Sequence, residues 1–559
     1  MAFYVSVPYI KKPDRSRRPV RFWHSGRALF RFSATKVAFM LLIGLAACSA
    51  NPVPLTASTI PASTITLPTR VSSETQIQAV LPSATSTSLT VLATLPPTLS
   101  FSPTPTLAQV LLPVPPENRT HYQLEATLDY GGHTLAVDER ISYTNTTPDR
   151  LASIVLVVEA LRYPGSFQIV SLADGTGKRL SQPRLKDTTL TVSLPQELAP
   201  GEKIQLSLSY TLRLLDIQKL PHLRPYPLGY TSVQTNLGDW YAFIPPYVPG
   251  TGWLVHPPAL FGEHLVYDTA DFDVAIRFTG GQNNLVIAAS APAVPDGEWQ
   301  RFSHPAARSF AWSVSPYYQV VTQTVELAQN RSTVVASYYF AAHAEAGKSL
   351  LDTMVKALPL YSRLWGTYPH PMLTGVQADF LDGMEYDGLY FLSTDFYNWH
   401  KDSQADFLVA LAAHETAHQW WFGLVGNDQA LQPWLDEALC TYSERIYYEN
   451  ISPEALDWWW TYRVNYYQPQ GWVDISIYDA PGIAGQYHLY RDPVYLKGAL
   501  FLEELRGLIG DEAFFATLRD YVGRYAYRQA DAAGFFDLLR QHTTLDLQPV
   551  LAKYISKLE

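Results

Sequence analysis

Residues 413–442, AHETAHQWWFGLVGNDQALQPWLDEALCTY, constrain the fold more than any other part of the chain. They hold His414-Glu415-Thr416-Ala417-His418 and, after a gap of eighteen residues, Glu437. Residues four apart on a helix share a face, so the two imidazoles project together and can hold a divalent cation. Glu415 projects beside such an ion rather than onto it, where it can take a proton from a bound water. A catalytic ion needs a third protein ligand and an open position. The gap allows a turn and a second, antiparallel helix that brings the Glu437 carboxylate back to the rings. Leu408, Leu411 and Ala412 precede the motif with helical spacing, and Gly423 and Gly426 close the segment. Two imidazoles and one carboxylate suit zinc.

With 559 residues the chain has room for two or three domains, and 47% hydrophobic residues are enough to build buried cores. The net charge of −10, with no basic patch, argues against nucleic acid as a partner. There are two cysteines, Cys48 and Cys440, too few for a disulfide scaffold. Cys48 ends the apolar run 37–48, which follows Lys11, Lys12, Arg15, Arg17, Arg18, Arg21, Arg27, Arg31 and Lys36. A basic start, a short apolar stretch and small residues before a cut describe an export signal, and the run is short for a bilayer span. Leu45-Ala46-Ala47-Cys48 resembles the lipobox of bacterial lipoproteins. The resemblance implies cleavage before Cys48, acylation of that residue, and a membrane-anchored protein facing the extracytoplasmic side. The plainer alternative is a secretory signal with an incidental cysteine. With Cys48 acylated, Cys440 has no intramolecular partner and reads as a small buried residue.

Residues 49–116 are mostly Ser, Thr, Pro, Ala, Val and Leu, with no sustained period of two or 3.6. They read as a disordered tether spanning on the order of 45 Å. Alternation begins after it. Tyr122, Leu124, Ala126, Leu128 and Tyr130 form one face of a strand, and Leu135, Val137, Ile141 and Tyr143 continue the pattern after a Gly131-Gly132 turn. Ile154, Leu156 and Val158, then Leu190, Val192 and Leu194, then Ile204 to Leu212, repeat it. An antiparallel β-sandwich over 117–327 follows. Its aromatic segments at 237–247 and 252–253 fit either a groove or a core.

Residues 328–559 read as a mostly helical domain with a small sheet component. One helix buries Leu351, Met354, Val355, Leu358, Tyr361 and Trp365. Helices from Ala513 and Ala533 bury Phe514, Leu518 and Tyr521, and Phe535, Leu538 and Leu539. Between them, 375–392 runs strand-like into a Gly-flanked bend carrying Glu385, to which sequence physics gives no role. Tyr495 precedes a helix, where a phenol can donate to an oxyanion or simply pack. The run Trp458-Trp459-Trp460 to Tyr467 suits a substrate-facing wall or the buried face of a helix pair equally.

His414-Glu415-x-x-His418 with Glu437, Gly383-Met384-Glu385, and Tyr495-Leu496-Lys497-Gly498 occur in the order found in the aminopeptidase N family of zinc metallopeptidases (family M1, gluzincins), which the chain resembles after about residue 120. The resemblance implies a multidomain α+β protein: an N-terminal antiparallel β-sandwich followed by a thermolysin-like zinc peptidase domain. It implies one Zn2+ per chain on His414, His418 and Glu437, Glu415 as general base, and Tyr495 on the oxyanion. It implies that Glu385, with Gly383 and Met384, meets the free amino group of a peptide substrate. Two departures stand out. The Gly and Asn that commonly flank that motif are Asp382 and Tyr386 here, and the chain is expected to do without the large C-terminal helical domain of longer members. The expected activity is removal of N-terminal residues from peptides at the cell surface. The alternatives are a zinc endopeptidase on the same scaffold or a non-catalytic peptide-binding lipoprotein.

Overall fold

The computed structural model describes residues 110–218, 227–282, 284–483 and 485–557. The expected signal segment with Cys48, and nearly all of the expected tether, lie outside the described residues.

The strand face selected by alternation is the face that packs. Tyr122, Leu124, Ala126 and Leu128 on strand Thr120–Asp129 are buried, as are Leu135, Val137, Ile141 and Tyr143 on Thr134–Thr144. Both strands belong to a seven-stranded sheet. One of its pairs departs from the antiparallel expectation: Thr120–Asp129 runs parallel to Ala270–Thr279, with Tyr122 opposite Phe272. A parallel pair needs a long connection, and here most of the domain lies between the two strands. A three-stranded sheet (Leu151–Val157, Thr189–Leu198, Arg184–Lys186) and a four-stranded sheet (Val286–Ala289, Trp312–Ser315, Thr235–Leu237, Leu228–Tyr230) share a core with it. Trp240, Tyr241 and Phe243 are buried in that core, and Trp240 Nε1 donates to the Phe310 carbonyl at 2.9 Å. The aromatic segment is therefore core rather than groove. On strand Thr134–Thr144 a carboxylate shares the inward face: Glu139 accepts from the Tyr210 hydroxyl at 2.8 Å and the Ala242 amide at 3.3 Å.

Strands Tyr318–Leu327 and Arg331–Phe340 form a hairpin across the position expected for the domain boundary. They open a mixed five-stranded sheet that continues through Met372–Ala378 and Leu389–Ser393 to Gly383–Tyr386 at its edge. Helix α1 (Ala344–Trp365) lays Leu351, Met354, Leu358, Tyr361 and Trp365 into the larger core. A short α2 (Thr394–Trp399) leads to α3 (Phe407–Ala417), which carries His414 and Glu415, and to α4 (Trp434–Ile451), which carries Glu437. The Tyr361 hydroxyl donates to the Ser443 carbonyl at 2.9 Å, tying α1 to α4. Helices Asp511–Tyr525 and Ala532–His542 follow, with the expected rows Phe514, Leu518, Tyr521 and Phe535, Leu538, Leu539 buried, and a further short helix, Gln548–Tyr554, comes after them. Cys440 is free and buried.

Candidate metal centre

Asp406 caps α3 by accepting from the Leu408 amide at 2.8 Å, which fixes where the helix starts and so the rotation of its later turns. His414 lies in the last turn, and His418 is the C-cap with helical backbone angles, so the two rings still share a face. The chain turns through 419–433 and returns as α4, whose first turn presents Glu437. His414 Nε2 and His418 Nε2 are 3.2 Å apart, and Glu437 Oε2 is 3.2 Å from the first and 3.6 Å from the second. Burial alone would push the Glu437 carboxyl up; the two imidazoles overcome it and hold the group at about 2.

The donor set fits a zinc-type ion. A tetrahedral ion with ligands at roughly 2.0–2.2 Å places neighbouring donors about 3.4 Å apart, the scale of this triangle. The ring atoms facing away from it are anchored, as metal-binding histidines require. His414 Nδ1 meets Glu444 Oε1 at 3.0 Å, and His418 Nδ1 meets the Trp421 carbonyl at 3.0 Å.

Glu444 was not anticipated from sequence. It sits seven residues after Glu437, two turns along the same face of α4, and is fully buried. It also accepts from Trp459 Nε1 at 2.8 Å and from Arg463 Nε and Nη2 at 2.9 and 2.7 Å. Burial opposes its charge, but Arg463 and His414 outweigh burial and keep the carboxyl below its usual range. Trp459 is thereby a buried support of the candidate metal centre and Trp458 and Trp460 are half-buried, whereas Tyr467 at the end of the run lines the same cavity as His414 and Glu437.

The triad lies in the wall of a cavity of about 430 Å³ that also exposes Glu385, Gly383, Glu415, Tyr487 and Tyr495. Glu385, Glu415 and His418 offer atoms within 4.8 Å of one another. Burial raises the Glu415 carboxyl to about 8, before any cation is counted, and one of its oxygens has no hydrogen-bond partner. Gly383 is required by contact: a Cβ there would lie 2.0 Å from Glu415 Oε1. Glu385 is buried and accepts from Gln429 Nε2 at 2.9 Å; burial raises it above the carboxylate range.

Strand alternation turns Met384 and Tyr386 away from the cavity. Met384 packs with Val376 and Phe391, and the Tyr386 ring fills the space over Gly238, where a Cβ would meet its hydroxyl at 2.1 Å. Of the expected Gly383-Met384-Glu385 set, Gly383 and Glu385 line the site and Met384 supports it from behind. Gln419, next to His418, bridges the two parts: its Nε2 donates to the Tyr386 carbonyl and its Oε1 accepts from the Gly388 amide, at 3.1 and 2.9 Å.

Tyr495 sits on a π-helical turn, Asp492–Lys497, which angles it into the cavity. Its ring lies 6.0 Å from that of His414 at 13°, and burial keeps the phenol protonated. Helix Gly498–Ile509 follows directly and approaches α4 so closely that a Cβ at Gly498 would lie 2.4 Å from Ala438 Cβ.

Residues 350–554 match the profile of the Peptidase family M1 domain. Aminopeptidase M1-D of Oryza sativa subsp. japonica is 26% identical over 231 residues, 39% of this chain and 26% of the plant protein. Aminopeptidase N of Lactobacillus delbrueckii subsp. lactis is 22% identical over 312 residues, 52% of this chain and 36% of its own length. The M1 zinc metallopeptidase of Deinococcus radiodurans superposes with a TM-score of 0.57 at 18% identity, over 80% of this chain and 96% of the other. A point mutant of that bacterial protein, solved with a Tyr-Ser-Ala substrate, gives 0.55 at 17%, over 81% and 98%. The fold is thus shared with a two-domain protein of similar extent, whereas the match covers about a quarter of the plant relative.

Proposed function

We propose that this chain, which belongs to peptidase family M1 through residues 350–554, is a zinc-dependent aminopeptidase that removes N-terminal residues from peptides. The observation that carries the reading is the meeting of the His414, His418 and Glu437 donors with Glu415 and Glu385 in one cavity. A zinc ion held by those three donors supplies Lewis-acid polarisation of the scissile carbonyl and lowers the pKa of water. Glu415 takes the proton of the attacking water and delivers it to the leaving amine. Tyr495, held protonated, donates to the developing oxyanion. Glu385, a buried carboxylate with one amide donor, pairs with the substrate ammonium, which fixes cleavage after the first residue. Relatives named as aminopeptidases and a neighbour solved with a tripeptide support the choice of substrate. We also propose that the export signal and Cys48 attach the enzyme to a membrane by a lipid, on the extracytoplasmic side, with residues 49–116 as tether.

Glu415→Gln tests the reading. It keeps the ligands and removes the base, so zinc content should stay at the wild-type level while kcat falls by about 10²–10⁴-fold. A variant that turns over at the wild-type rate sinks the assignment.

A further inference from the structure

Among the described residues a second set of metal-ligating atoms converges outside the cavity: His304, His370 and Asp387, all within 4.8 Å of one another. They are 0%, 6% and 2% exposed. Each comes from a different part of the fold. His304 is on strand Trp299–Ala307 of the seven-stranded sheet, and His370 precedes strand Met372–Ala378. Asp387 lies in the turn between Gly383–Tyr386 and Leu389–Ser393, two residues beyond Glu385.

The donor spacing parallels that of the catalytic triad, although His304 Nδ1, unlike the outer nitrogens there, has no hydrogen-bond partner. His370 Nε2 is 3.1 Å and His304 Nε2 3.7 Å from Asp387 Oδ1, against 3.2 and 3.6 Å for the two imidazoles around Glu437 Oε2. Both pairs bracket the roughly 3.4 Å spacing of donors around a tetrahedral zinc. The Asp387 carbonyl oxygen also lies 3.2 Å from His304 Nε2. The carboxylate is oriented by its surroundings. Oδ2 accepts from the Arg308 amide at 2.9 Å, and the Asp387 amide donates to Ser309 Oγ at 3.0 Å, which leaves Oδ1 to face the rings. The turn is tight: Gly388 has φ +78°, and a Cβ there would lie 2.3 Å from the Ser290 carbonyl oxygen.

The two rings lie 4.3 Å apart and both face Asp387 Oδ1. One carboxylate and two imidazoles thus converge in a buried pocket of the donor types that a divalent ion takes. His370 also lines a surface cavity of about 420 Å³ with Pro305, Thr367 and Tyr527, which brings solvent up to one edge of the site.

We infer that His304, His370 and Asp387 bind a second, structural zinc-type cation that staples the β-sandwich to the hairpin carrying Glu385. The site is independent of the catalytic reading. It is tested on the full chain without an affinity tag, stripped by chelator, equilibrated with zinc chloride against a weak competing chelator, and analysed for metal. Wild type should hold about two zinc ions per chain and the His414→Ala/His418→Ala variant about one. Adding His370→Ala to that variant should bring the content to about zero. The inference is overturned if the double variant holds none, or if the triple variant, folded by circular dichroism, holds as much as the double. Should the triple variant not fold, His370→Gln or His304→Gln replaces it in the same comparison. A wild-type chain with one ion, retained in the double variant, would support this site and contradict the catalytic one.

Discussion

Replacing Glu444 with Gln should loosen the catalytic metal without touching a ligand. The carboxylate serves His414 Nδ1, Trp459 Nε1 and two nitrogens of Arg463, all buried. A Gln amide has one oxygen to offer these donors, and its NH2 faces either the imidazole or the guanidinium. Loss of such an orienting partner typically weakens metal affinity about 10–100-fold, or roughly 1.4–2.7 kcal/mol. Arg463 is also left with its charge buried and poorly paired, at a cost on the order of 3–5 kcal/mol in folding stability. Competition against a fluorescent zinc chelator reads the first effect, and thermal unfolding of the metal-free chain reads the second. Combining Glu444→Gln with Arg463→Met separates them: stability should recover substantially while zinc affinity stays low. If zinc affinity in Glu444→Gln stays within twofold of wild type, Glu444 does not orient His414 and the reasoning fails.

Gly383→Ala should lower kcat/KM by at least tenfold with zinc content unchanged, because its Cβ would lie 2.0 Å from Glu415 Oε1; steady-state kinetics beside metal analysis check it. Glu139 makes a pH prediction about folding. Burial raises its carboxyl from the usual 4.5 to about 8, so between those values the folded chain holds more protons than the unfolded chain. Stability therefore falls as pH rises through that window, by about 1.4 kcal/mol per pH unit from this group. Glu139→Gln, which keeps the shape, should raise the melting temperature at pH 8 more than at pH 5. An equal change at both would refute the assignment.

Much of the fold was legible because its signals are local. Strand alternation picked the buried faces around Tyr122 and Leu135, and helical spacing picked Met354 to Trp365 and the rows on helices Asp511–Tyr525 and Ala532–His542. The meeting of His414, His418 and Glu437 was legible because two of them sit four apart and the third follows after one turn of the chain. What escaped depends on which surfaces meet. Glu444 had a signal, two turns beyond Glu437, but a glutamate at that spacing is ordinary on a helix. Whether Trp459 faces a groove or supports a carboxylate depends on where α4 passes, which its own neighbours do not encode. His304, His370 and Asp387 come from three segments, and no sequence spacing ties them. The parallel pairing of Thr120–Asp129 with Ala270–Thr279 is likewise invisible to alternation, which reports a strand's faces and not its partners. Tyr386, which stands where the resembled family commonly has Asn, is turned by strand geometry away from the cavity and over Gly238.

The central claim is that Glu385 reads a free amine beside a metal-activated water. The direct measurement is mass spectrometry of one peptide and its N-acetylated twin, each incubated with the zinc-loaded chain and with the chelated chain. The account predicts stepwise loss of N-terminal residues from the free peptide, none from the acetylated one, and none from either after chelation. Cleavage of both peptides at the same internal bond, or no cleavage of either by the zinc-loaded chain, would contradict it.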